Sequence, residues 1–500
     1  MKKLFKPSTL AMVTCSLLNA NPLMAQEVKQ LEKPNVLFIL TDDQTYDTIN
    51  ALGNTEIITP NIDRLVKQGT SFTHAYNQGS WTPAICAASR RMISTGRNLY
   101  ETGLGPEKTT PQERFPLWGE TFRNNGYETF LTGKWHMTKE SFVQSYDIGR
   151  AVYNGGMATE KSGGQWEPSL WNYDVGNPTG KNFEIYIKKK HTSEQIADAA
   201  ADFIKNREYD EPYFAYVGFL APHDPRQSPQ SFIDMYPPHE ISLPANFKQR
   251  HELDQGDYYV RDEQLLPFPR TKEDVQEFIA EYYAMITHMD ENLGRILDAV
   301  EESGQAENTI IVFTADHGLA VGKHGLLGKQ SQYDHSVRSP FIMAGKGVPV
   351  GKEMKGMFYL NSAFPTTAEL AGIPIPETVQ APSIVPLLKG EKNQTFKNIV
   401  GSYRHFQRMI TDGDFKLIYY PLTKDIQLFN LKDDPDELLN LASNDKYQHK
   451  LDKLMQDLRQ EMKEIGDPME FNNPKESYQD WVGYINCSWQ LENCSESIEK

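Results

Sequence analysis

The chain contains few cysteines, no long apolar segment and a deficit of positive charge. Four cysteines in 500 residues are too few for a scaffold built on disulfides. Beyond the first segment no run of about 18 apolar residues occurs, so a membrane-spanning helix is not expected. Lys and Arg number 51 against 67 Asp and Glu, which argues against nucleic acid as a partner. These features favour an acidic globular protein that has neither a nucleic-acid nor a membrane partner.

The first 25 residues have the pattern of an export signal. Lys2, Lys3 and Lys6 precede an apolar run, STLAMVTCSLL, which is too short to span a bilayer. Ala25 then offers a cleavage point before Gln26. We therefore expect an exported protein, periplasmic or secreted, whose mature chain starts near residue 26.

The cysteines that remain after this segment differ in their surroundings. Cys487 and Cys494 lie close together near the C-terminus, and in an exported chain this spacing predicts a short-loop disulfide. Cys86 stands alone. Its ordinary interpretation is a small buried apolar side chain, and the alternative is a reactive thiol.

Continuous apolar runs predict strands that are buried on both faces of a parallel sheet. Helical patterns separate them, and this alternation predicts an α/β fold with a large, mostly parallel sheet sandwiched by helices. In such a sheet, ligands bind beyond the carboxyl ends of the strands. The predicted strands are 35–40, 129–131, 212–219 and 309–314, and the predicted helices are 61–68, 117–125, 193–205 and 274–302.

Composition also predicts the domain organisation. Residues 150–180 and 222–270 are rich in Gly, Pro and aromatic residues without a clear period, which predicts long loops. After about residue 395, four short apolar segments predict antiparallel strands, followed by a helix at 445–465. The predicted parts are a signal peptide at 1–25, a catalytic α/β domain at 26–394, a smaller C-terminal α+β subdomain at 395–470, and a tail at 471–500.

Acidic residues follow two of the predicted strands directly. Asp42 and Asp43 end the first strand, and Asp316 with His317 follows the run at 309–314. Paired aspartates are commonly helix caps or solvated turns. Alternatively, adjacent carboxylates at a strand end can share a hard cation. If the two strands are neighbours, the four side chains form a site for a divalent metal.

Cys86 and Arg90 share one face of a predicted helix that starts after a loop containing Gly and Pro. The free N–H groups and the positive dipole end of a helix start favour an anion there. A nucleophile beside a guanidinium at such a position suits attack on a tetrahedral oxyanion.

Further candidates follow the other predicted strands. Lys134 and His136 come shortly after 129–131, and His223 follows 212–219. Lone histidines are more often structural than catalytic, but three of them just after strands, including His317, favour a functional role. Lys329 is a further candidate anion ligand, although an isolated lysine is usually a surface charge.

The chain resembles a type I sulfatase of the alkaline-phosphatase superfamily, and in particular the exported polysaccharide sulfatases of bacteria. The resemblance covers most of residues 34–445 and keeps the order of the family's motifs. It rests on PNVLFILTDDQ, CAASR with TGR, GYETFLTGKWH, the PH at 222–223, DHG with HGLLGK, and the ending KLI, LFNL, DPDE and NLA.

The resemblance implies a nucleophile and a metal site. Cys86 matches the cysteine that a maturation enzyme oxidises to formylglycine, although Ala88 stands where the family usually has proline. One hydroxyl of the aldehyde hydrate attacks sulfur, and the second then releases the sulfate. A divalent cation would orient the sulfate and lower the pKa of the hydrate. It is expected to be Ca²⁺, with Mn²⁺ a lesser alternative because His317 stands where many members have Asn. Its matching ligands are Asp42, Asp43, Cys86, Asp316 and His317.

The resemblance also implies roles for the other candidates. Arg90, Lys134 and Lys329 would hold the hydrate and the sulfate. His223 would protonate the departing alcohol, and His136 would be the base for breakdown of the sulfated intermediate.

A sulfated poly- or oligosaccharide is the expected substrate. One alternative is a phosphodiesterase or phosphonate monoester hydrolase of the same superfamily. Another is an inactive glycan-binding homologue in which Cys86 is never oxidised. The candidates for stacking on sugar rings are Trp166, Trp171 and Tyr173, and those for binding a carboxylate or a further sulfate are Arg226, His405 and Arg408.

Overall fold

Sixteen strands and eleven helices make up the part of the chain that the computed structural model describes, residues 33–102, 115–176, 182–207, 211–257 and 260–471. The predicted signal peptide and the predicted Cys487–Cys494 disulfide lie outside these residues and stay predictions. From Lys33 onward the described residues belong to one compact unit. None of their helices has the length and apolar character needed to cross a bilayer.

The bounds of the strands, in chain order, are β1 Asn35–Thr41, β2 Gly69–Tyr76, β3 Gly79–Ser80, β4 Glu128–Lys134, β5 Ile148–Tyr153, β6 Leu170–Asp174, β7 Phe183–Tyr186, β8 Tyr213–Gly218, β9 Thr309–Ala315, β10 Arg338–Gly345, β11 Lys352–Met354, β12 Phe358–Tyr359, β13 Ile399–Tyr403, β14 Gln407–Thr411, β15 Phe415–Tyr420 and β16 Asp425–Asn430.

The bounds of the helices are α1 Pro60–Gln68, α2 Ile85–Thr95, α3 Trp118–Arg123, α4 Lys139–Ser145, α5 Thr192–Lys205, α6 Gln230–Ile233, α7 Lys272–Glu302, α8 Asp334–Val337, α9 Ala363–Leu370, α10 Val385–Leu388 and α11 Gln448–Glu464.

Eleven of the strands form one large, mostly parallel sheet. Its order is β11-β2-β10-β9-β1-β8-β4-β5-β6-β7, with β12 also paired to β2. Only β10 and β6 run against the direction of the others among these strands. The predicted fold class is thus confirmed, and the four strands predicted from apolar runs are the neighbours β9, β1, β8 and β4 at its centre.

Helices cover both faces of this sheet, because β1 is apolar on both sides. Leu37 and Ile39 pack into a core formed with α1, α5 and α7. Val36, Phe38 and Leu40 point to the opposite face and pack with α3, α4 and α9. A strand buried on both faces needs a continuous apolar sequence, and that is why its run was recognisable.

A second sheet has the order β16-β15-β14-β13-β3. Its four C-terminal strands are antiparallel hairpin neighbours, and α11 packs on them through Leu454, Leu458 and Met462. The predicted strands and helix of the C-terminal part are present. Since β13 pairs in parallel with β3, this sheet is continuous with the segment just before α2, and the boundary at residue 395 stays a prediction.

The expectation of a long loop at 150–180 was partly wrong. β5 ends in this stretch and β6 lies within it, and with β7 they extend the large sheet through antiparallel pairs. Trp171 and Tyr173, proposed above to stack on sugars, lie on β6. They are 5% and 2% exposed and pack against Phe142 and Phe183. Both belong to the core, and the sugar-stacking interpretation is wrong for them.

Candidate active site

The acidic residues of the two predicted strand ends meet. β1 and β9 pair in parallel with Thr41 opposite Ala315, so Asp42 and Asp43 emerge beside Asp316 and His317. The backbone N–H of Asp43 donates to Asp316 Oδ1 at 3.2 Å, and His317 Nε2 lies 3.2 Å from Asp43 Oδ1. Asp43 adopts φ 71°, which turns the chain sharply away from the strand end.

Cys86 is the second residue of α2, and its side chain is directed at these strand ends. The residue is 2% exposed. Its Sγ lies 3.2 Å from both His317 Nε2 and Lys329 Nζ and 3.7 Å from Asp43 Oδ1. The hydroxyl of Ser89 donates to the carbonyl of Asp316 at 2.6 Å, which ties the first turn of α2 to the end of β9.

Three buried cations pair with the three carboxylates. Lys329 Nζ lies 2.8 Å from Asp43 Oδ1, and Lys134 is paired with Asp42. Arg90 Nε donates to Asp316 Oδ2 at 3.0 Å. Lys329 also contacts the thiol, with its Nζ 3.2 Å from Cys86 Sγ. Buried charges are tolerated when each has an opposite partner, and these pairs satisfy that requirement.

The position of Lys134 differs from the prediction. It is the last residue of β4 and not part of a loop after the strand. Its backbone carbonyl accepts a 2.7 Å hydrogen bond from Arg90 Nη1. Lys134 and Arg90 therefore hold each other as well as the carboxylates, which joins α2 to the edge of the sheet.

Two of the predicted histidines lie on the open side of Cys86. His223 Nε2 is 3.7 Å from Asp43 Oδ2, while its Nδ1 is 3.2 Å from Asp224 Oδ1. Arg261 is ion-paired with Asp224, so the side chain that contacts His223 Nδ1 is itself fixed in position. His136 adopts φ 57°, and lines the same cavity as Cys86 and His223.

This cavity of about 210 Å³ opens above Cys86. Of the predicted site residues, His136, His223 and Lys329 line it together with Cys86, whereas Arg90 and Lys134 are not among its lining residues. Sequence reasoning missed other lining residues because they come from aperiodic loops. The clearest of them are Arg261, Asp262 and Gln330. Gln330 directly follows Lys329, and its amide donates to Asp262 Oδ2 at 2.7 Å.

The paired charges shift the acid–base properties of the site. Burial alone would raise the pKa of Asp42 and Asp43, but the neighbouring cations and histidines outweigh it and hold both pKa values below normal. Burial raises the pKa of Asp316, although His317 and Arg90 oppose this. Burial also raises the pKa of the Cys86 thiol, despite the nearby charges of Lys134 and Lys329.

The histidine beside the cavity mouth is neutral. Burial lowers the pKa of His136 to about 2, and the positive charges of Lys134 and Arg90 act in the same direction. A neutral imidazole has one unprotonated ring nitrogen, which can accept a proton.

The strand-end residues have the composition of a cation site. Ligand atoms of Asp42, Cys86, Asp316 and His317 lie within 4.8 Å of one another, as do those of Asp43, Cys86 and His223. Asp42 Oδ1 is buried and has no hydrogen-bond partner within the described part of the chain; its ion pair with Arg90 Nη2 is long, at 3.6 Å. An oxygen in that state is stabilised by a cation, so these residues fit a divalent metal ion.

The structure excludes two of the residues proposed to bind a substrate carboxylate or sulfate. Arg408 is buried and its guanidinium is paired with Asp467 at 2.5 Å. His405 is buried against the ring of Phe406. Arg226 lines a larger neighbouring cavity. Trp166 is 37% exposed but packs its ring against His191 and does not line the cavity above Cys86.

Comparison with known proteins gives consistent matches. The Sulfatase family profile matches residues 34–373, and that of the C-terminal part of N-sulphoglucosamine sulphohydrolase matches 322–464. An N-acetylglucosamine-6-O-sulfatase of Bacteroides thetaiotaomicron is 25% identical over 94% of this chain and 92% of its own length. An arylsulfatase of Clostridium perfringens is 27% identical over 86% of this chain and 94% of its own.

Solved structures share the fold. One, described as a complex with its substrate D-glucosamine-2-N,6-O-disulfate, has a TM-score of 0.73 and 24% identity, over 89% of this chain and 100% of that one. A phosphonate monoester hydrolase of Agrobacterium radiobacter has a TM-score of 0.65 and 22% identity, over 86% and 96%. The family match covers more than half of the chain. The chain therefore belongs to the sulfatase family, the sulfuric ester hydrolases with the alkaline-phosphatase-like fold.

Proposed function

We propose that this enzyme hydrolyses sulfate esters of saccharides with a nucleophile derived from Cys86. The observation that carries the proposal is the position of Cys86 at the start of α2, within 3.2 Å of Lys329 and His317 and below a cavity lined by His136 and His223. The name of the N-acetylglucosamine-6-O-sulfatase relative and the disulfate bound in the structural neighbour support a sulfated saccharide as the substrate class.

Oxidation of Cys86 to formylglycine is part of the proposal. The aldehyde hydrate would supply one hydroxyl to displace the alcohol from sulfur and a second to release the sulfate, whereas a serine would keep a stable sulfate ester. The chain's own residues would do the rest. Lys329 is in contact with the nucleophilic position, and the predicted contacts of Arg90 and Lys134 with the hydrate and sulfate stay predictions.

The two histidines have different surroundings that suit different proton transfers. His223 is anchored through Nδ1 by Asp224 and presents Nε2 to the cavity, where it would protonate the leaving alcohol. Burial lowers the pKa of His136, so its imidazole is neutral and has an unprotonated nitrogen for the role of base that the resemblance implies. Both assignments are those that the family resemblance implies, and the position of the two rings at the cavity above Cys86 supports them.

The resident cation is proposed to be Ca²⁺, with Mn²⁺ as the lesser alternative. Asp42, Asp43, Asp316, His317 and the residue at position 86 would hold it. Three carboxylates are hard ligands that suit calcium, and the single imidazole leaves room for a softer ion. A bound divalent ion would polarise the sulfate group and stabilise the ionised hydrate.

A chelation experiment tests the metal. Exhaustive chelation is expected to abolish sulfate ester hydrolysis, and Ca²⁺ should restore more activity than Zn²⁺. Asp43→Ala should lose both activity and calorimetric Ca²⁺ binding, since it removes a ligand and the partner of Lys329. Asp298→Ala, at a carboxylate that is 56% exposed, is the matched control. Full activity of the chelated enzyme would contradict the proposal.

The nucleophile is tested by mass and by substitution. The peptide that contains Cys86 should lose the mass difference between a CH₂SH and a CHO group. Cys86→Ala should abolish turnover while the unfolding temperature stays close to that of the wild type. An unmodified Cys86 in a fully active enzyme would contradict formylglycine. An unmodified and inactive protein that still binds glycans would support the alternative of a binding homologue.

The phosphonate monoester hydrolase neighbour makes phosphorus esters the rival substrate class. Rates on a sulfate monoester and on a phosphodiester with the same leaving group separate the two. We expect a higher kcat/KM on the sulfate ester, and the reverse order would favour the rival.

Export is the last element of the proposal, together with a maturation enzyme that acts on Cys86. It rests on the signal-like pattern of residues 1–25. N-terminal sequencing of the exported protein should start at Gln26. Alkylation without prior reduction should leave Cys487 and Cys494 unlabelled if they are bridged. A retained Met1 would contradict export by this signal.

A further inference from the structure

A second and larger cavity adjoins the one above Cys86. Its volume is about 660 Å³ against about 210 Å³ for the smaller cavity. Met157 lines both. The dipeptide His223–Asp224 separates them, with His223 lining the smaller and Asp224 the larger, and Arg261 reaches from the smaller cavity to pair with Asp224. An alcohol that departs from sulfur on the side of His223 would therefore enter the larger cavity.

The larger cavity combines an apolar wall with charged groups, as is usual for sites that bind small organic molecules. A sugar ring offers the complementary pattern, because its C–H faces are apolar and its edge carries polar groups. The apolar contributions come from Met157, Pro225, Leu265, Leu266 and Phe278.

Four carboxylates dominate the charge of this cavity. None of them has a hydrogen bond or an ion pair to its side chain among the residues that the structure describes. A fifth carboxylate, Asp224, is neutralised by Arg261. Glu281 is half-buried, and burial raises its pKa although Arg226 opposes the shift. The four carboxylates belong to Glu160, Asp274, Glu277 and Glu281.

The positive charges of the cavity are fewer and partly covered. Lys161 is exposed. The guanidinium of Arg226 lies 3.8 Å from the ring centroid of Phe278 and 4.8 Å from that of Tyr282, and its Nη1 donates to the carbonyl of Phe278 at 3.0 Å. Because its guanidinium lies over both rings and is bonded to the backbone of α7, Arg226 is part of the wall. The accessible charge of the cavity is therefore negative.

We propose that the larger cavity holds the alcohol portion of the sulfate ester and selects it by charge. It favours a sugar ring that carries a free amine, accepts one that carries only hydroxyls, and disfavours one with a carboxylate or a second sulfate. The carboxylates of Glu277 and Glu281, one helical turn apart on α7, face the ring. This inference rests on the proposed sulfate ester hydrolysis and names the substrates that the same site prefers.

Three aryl sulfates with short para side arms of different charge test the selection. The probes are tyramine O-sulfate with an ammonium, para-ethylphenyl sulfate without charge, and para-hydroxyphenylacetate O-sulfate with a carboxylate. We expect kcat/KM to fall in that order, with roughly tenfold between the first and the last, as for a unit charge near a half-buried carboxylate. High salt should reduce the ratio.

Substitutions on α7 test whether the charge selection arises in the larger cavity. Glu277→Gln with Glu281→Gln should bring the ratio between the two charged probes close to one, because it removes the two carboxylates of α7 that line the cavity. Glu273→Gln, on the same helix but outside the cavity, should leave the ratio unchanged.

The outcomes separate the two proposals. Equal kcat/KM on all three probes, or a ratio that survives the double substitution, would overturn the charge selection while sulfate ester hydrolysis stands. Absence of turnover on all three probes would instead contradict the proposed hydrolysis, and with it the inference that depends on it.

Discussion

At the scale of residues, each of three carboxylates of the site pairs with a different buried cationic side chain. Asp42 is paired with Lys134, Asp43 with Lys329, and Asp316 with Arg90. Removing one member of a buried pair leaves a charge without compensation, which typically costs about 3–5 kcal/mol. Activity lost on substitution of any of these six residues must therefore be compared with the free energy of unfolding. Substitutions of the histidines at the cavity can be interpreted more directly.

His223→Ala is expected to show a loss that depends on the leaving group. An alkyl or sugar hydroxyl needs a proton as the S–O bond breaks, whereas nitrophenol leaves as a stable anion. General acid catalysis contributes about 10²–10⁴-fold. Steady-state kinetics should show a loss of that size on an alkyl sulfate and a much smaller one on nitrophenyl sulfate.

Two comparisons complete the histidine experiment. His239→Ala removes a histidine whose side chain is 81% exposed and should change neither rate. His136→Ala, at the proposed base, should let sulfated enzyme accumulate, which mass spectrometry detects. Equal losses on both substrates for His223→Ala would mean that His223 positions the sulfate and does not protonate the alcohol.

Whether a site residue can be predicted from the sequence depends on its position in the fold. Asp42, Asp316 and Cys86 stand directly beside regular elements, and neighbouring parallel strands bring their ends together whatever the loops do. Arg261 and Asp262 come from an aperiodic stretch whose path depends on tertiary contacts such as the Asp224–Arg261 pair. The guanidinium of Arg408 is a suitable anion ligand by residue type, but its salt bridge to Asp467 is a long-range pairing that no local pattern reveals.

At the scale of elements, α1 depends on a carboxylate from α7. Asp290 is fully buried and accepts hydrogen bonds from the backbone N–H groups of Asn61 and Ile62, at 3.0 and 2.7 Å, in the first turn of α1. Asp290→Ala would leave these donors without partners inside the core. We expect a loss of about 3 kcal/mol in the free energy of unfolding, measured by denaturant titration.

The control for Asp290→Ala lies on the same pair of helices. Asp298 of α7 pairs with Arg64 of α1 at 2.7 Å, but its side chain is 56% exposed. Asp298→Ala should cost less than about 1 kcal/mol, because exposed ion pairs contribute little. A larger loss for Asp298→Ala than for Asp290→Ala would contradict this account of how α1 is held.

The elements that were missed also have a physical reason. β1, β8 and β9 are buried on both faces and have uninterrupted apolar sequences, which is the strongest signal a strand can give. β5 to β7 lie at the edge of the sheet, separated by glycine-rich segments, and β7 has Ile185 exposed by 66%. Their pairing depends on packing against α4 through Trp171 and Tyr173, which is a tertiary effect and not a local one.

At the scale of the whole molecule, the two sheets join at β3. Gly79 has φ 90°, and a Cβ at this position would lie 1.9 Å from the carbonyl oxygen of Ser402. Gly79→Ala must therefore push β13 away from β3. We expect a loss of at least about 2 kcal/mol in the free energy of unfolding. Activity should fall as well, because α2 and Cys86 follow within a few residues, and both quantities are measurable on one preparation.

Gly126→Ala is the matched control for the joint. Gly126 has φ 80°, but no atom lies within 4 Å of its would-be Cβ. This variant should show only the backbone strain, about 1 kcal/mol, with normal activity. If Gly79→Ala were no more destabilising than Gly126→Ala, the contact between β3 and β13 would not matter for stability.

The burial of Cys86 bears on the stage of folding at which its proposed oxidation can occur. Its thiol is 2% exposed and lines a cavity of about 210 Å³, a volume that leaves little room for the catalytic groups of another enzyme. The proposed oxidation of Cys86 would then have to occur while α2 is still unfolded. Molecules that fold first are committed to remain unmodified, and slower folding should raise the converted fraction.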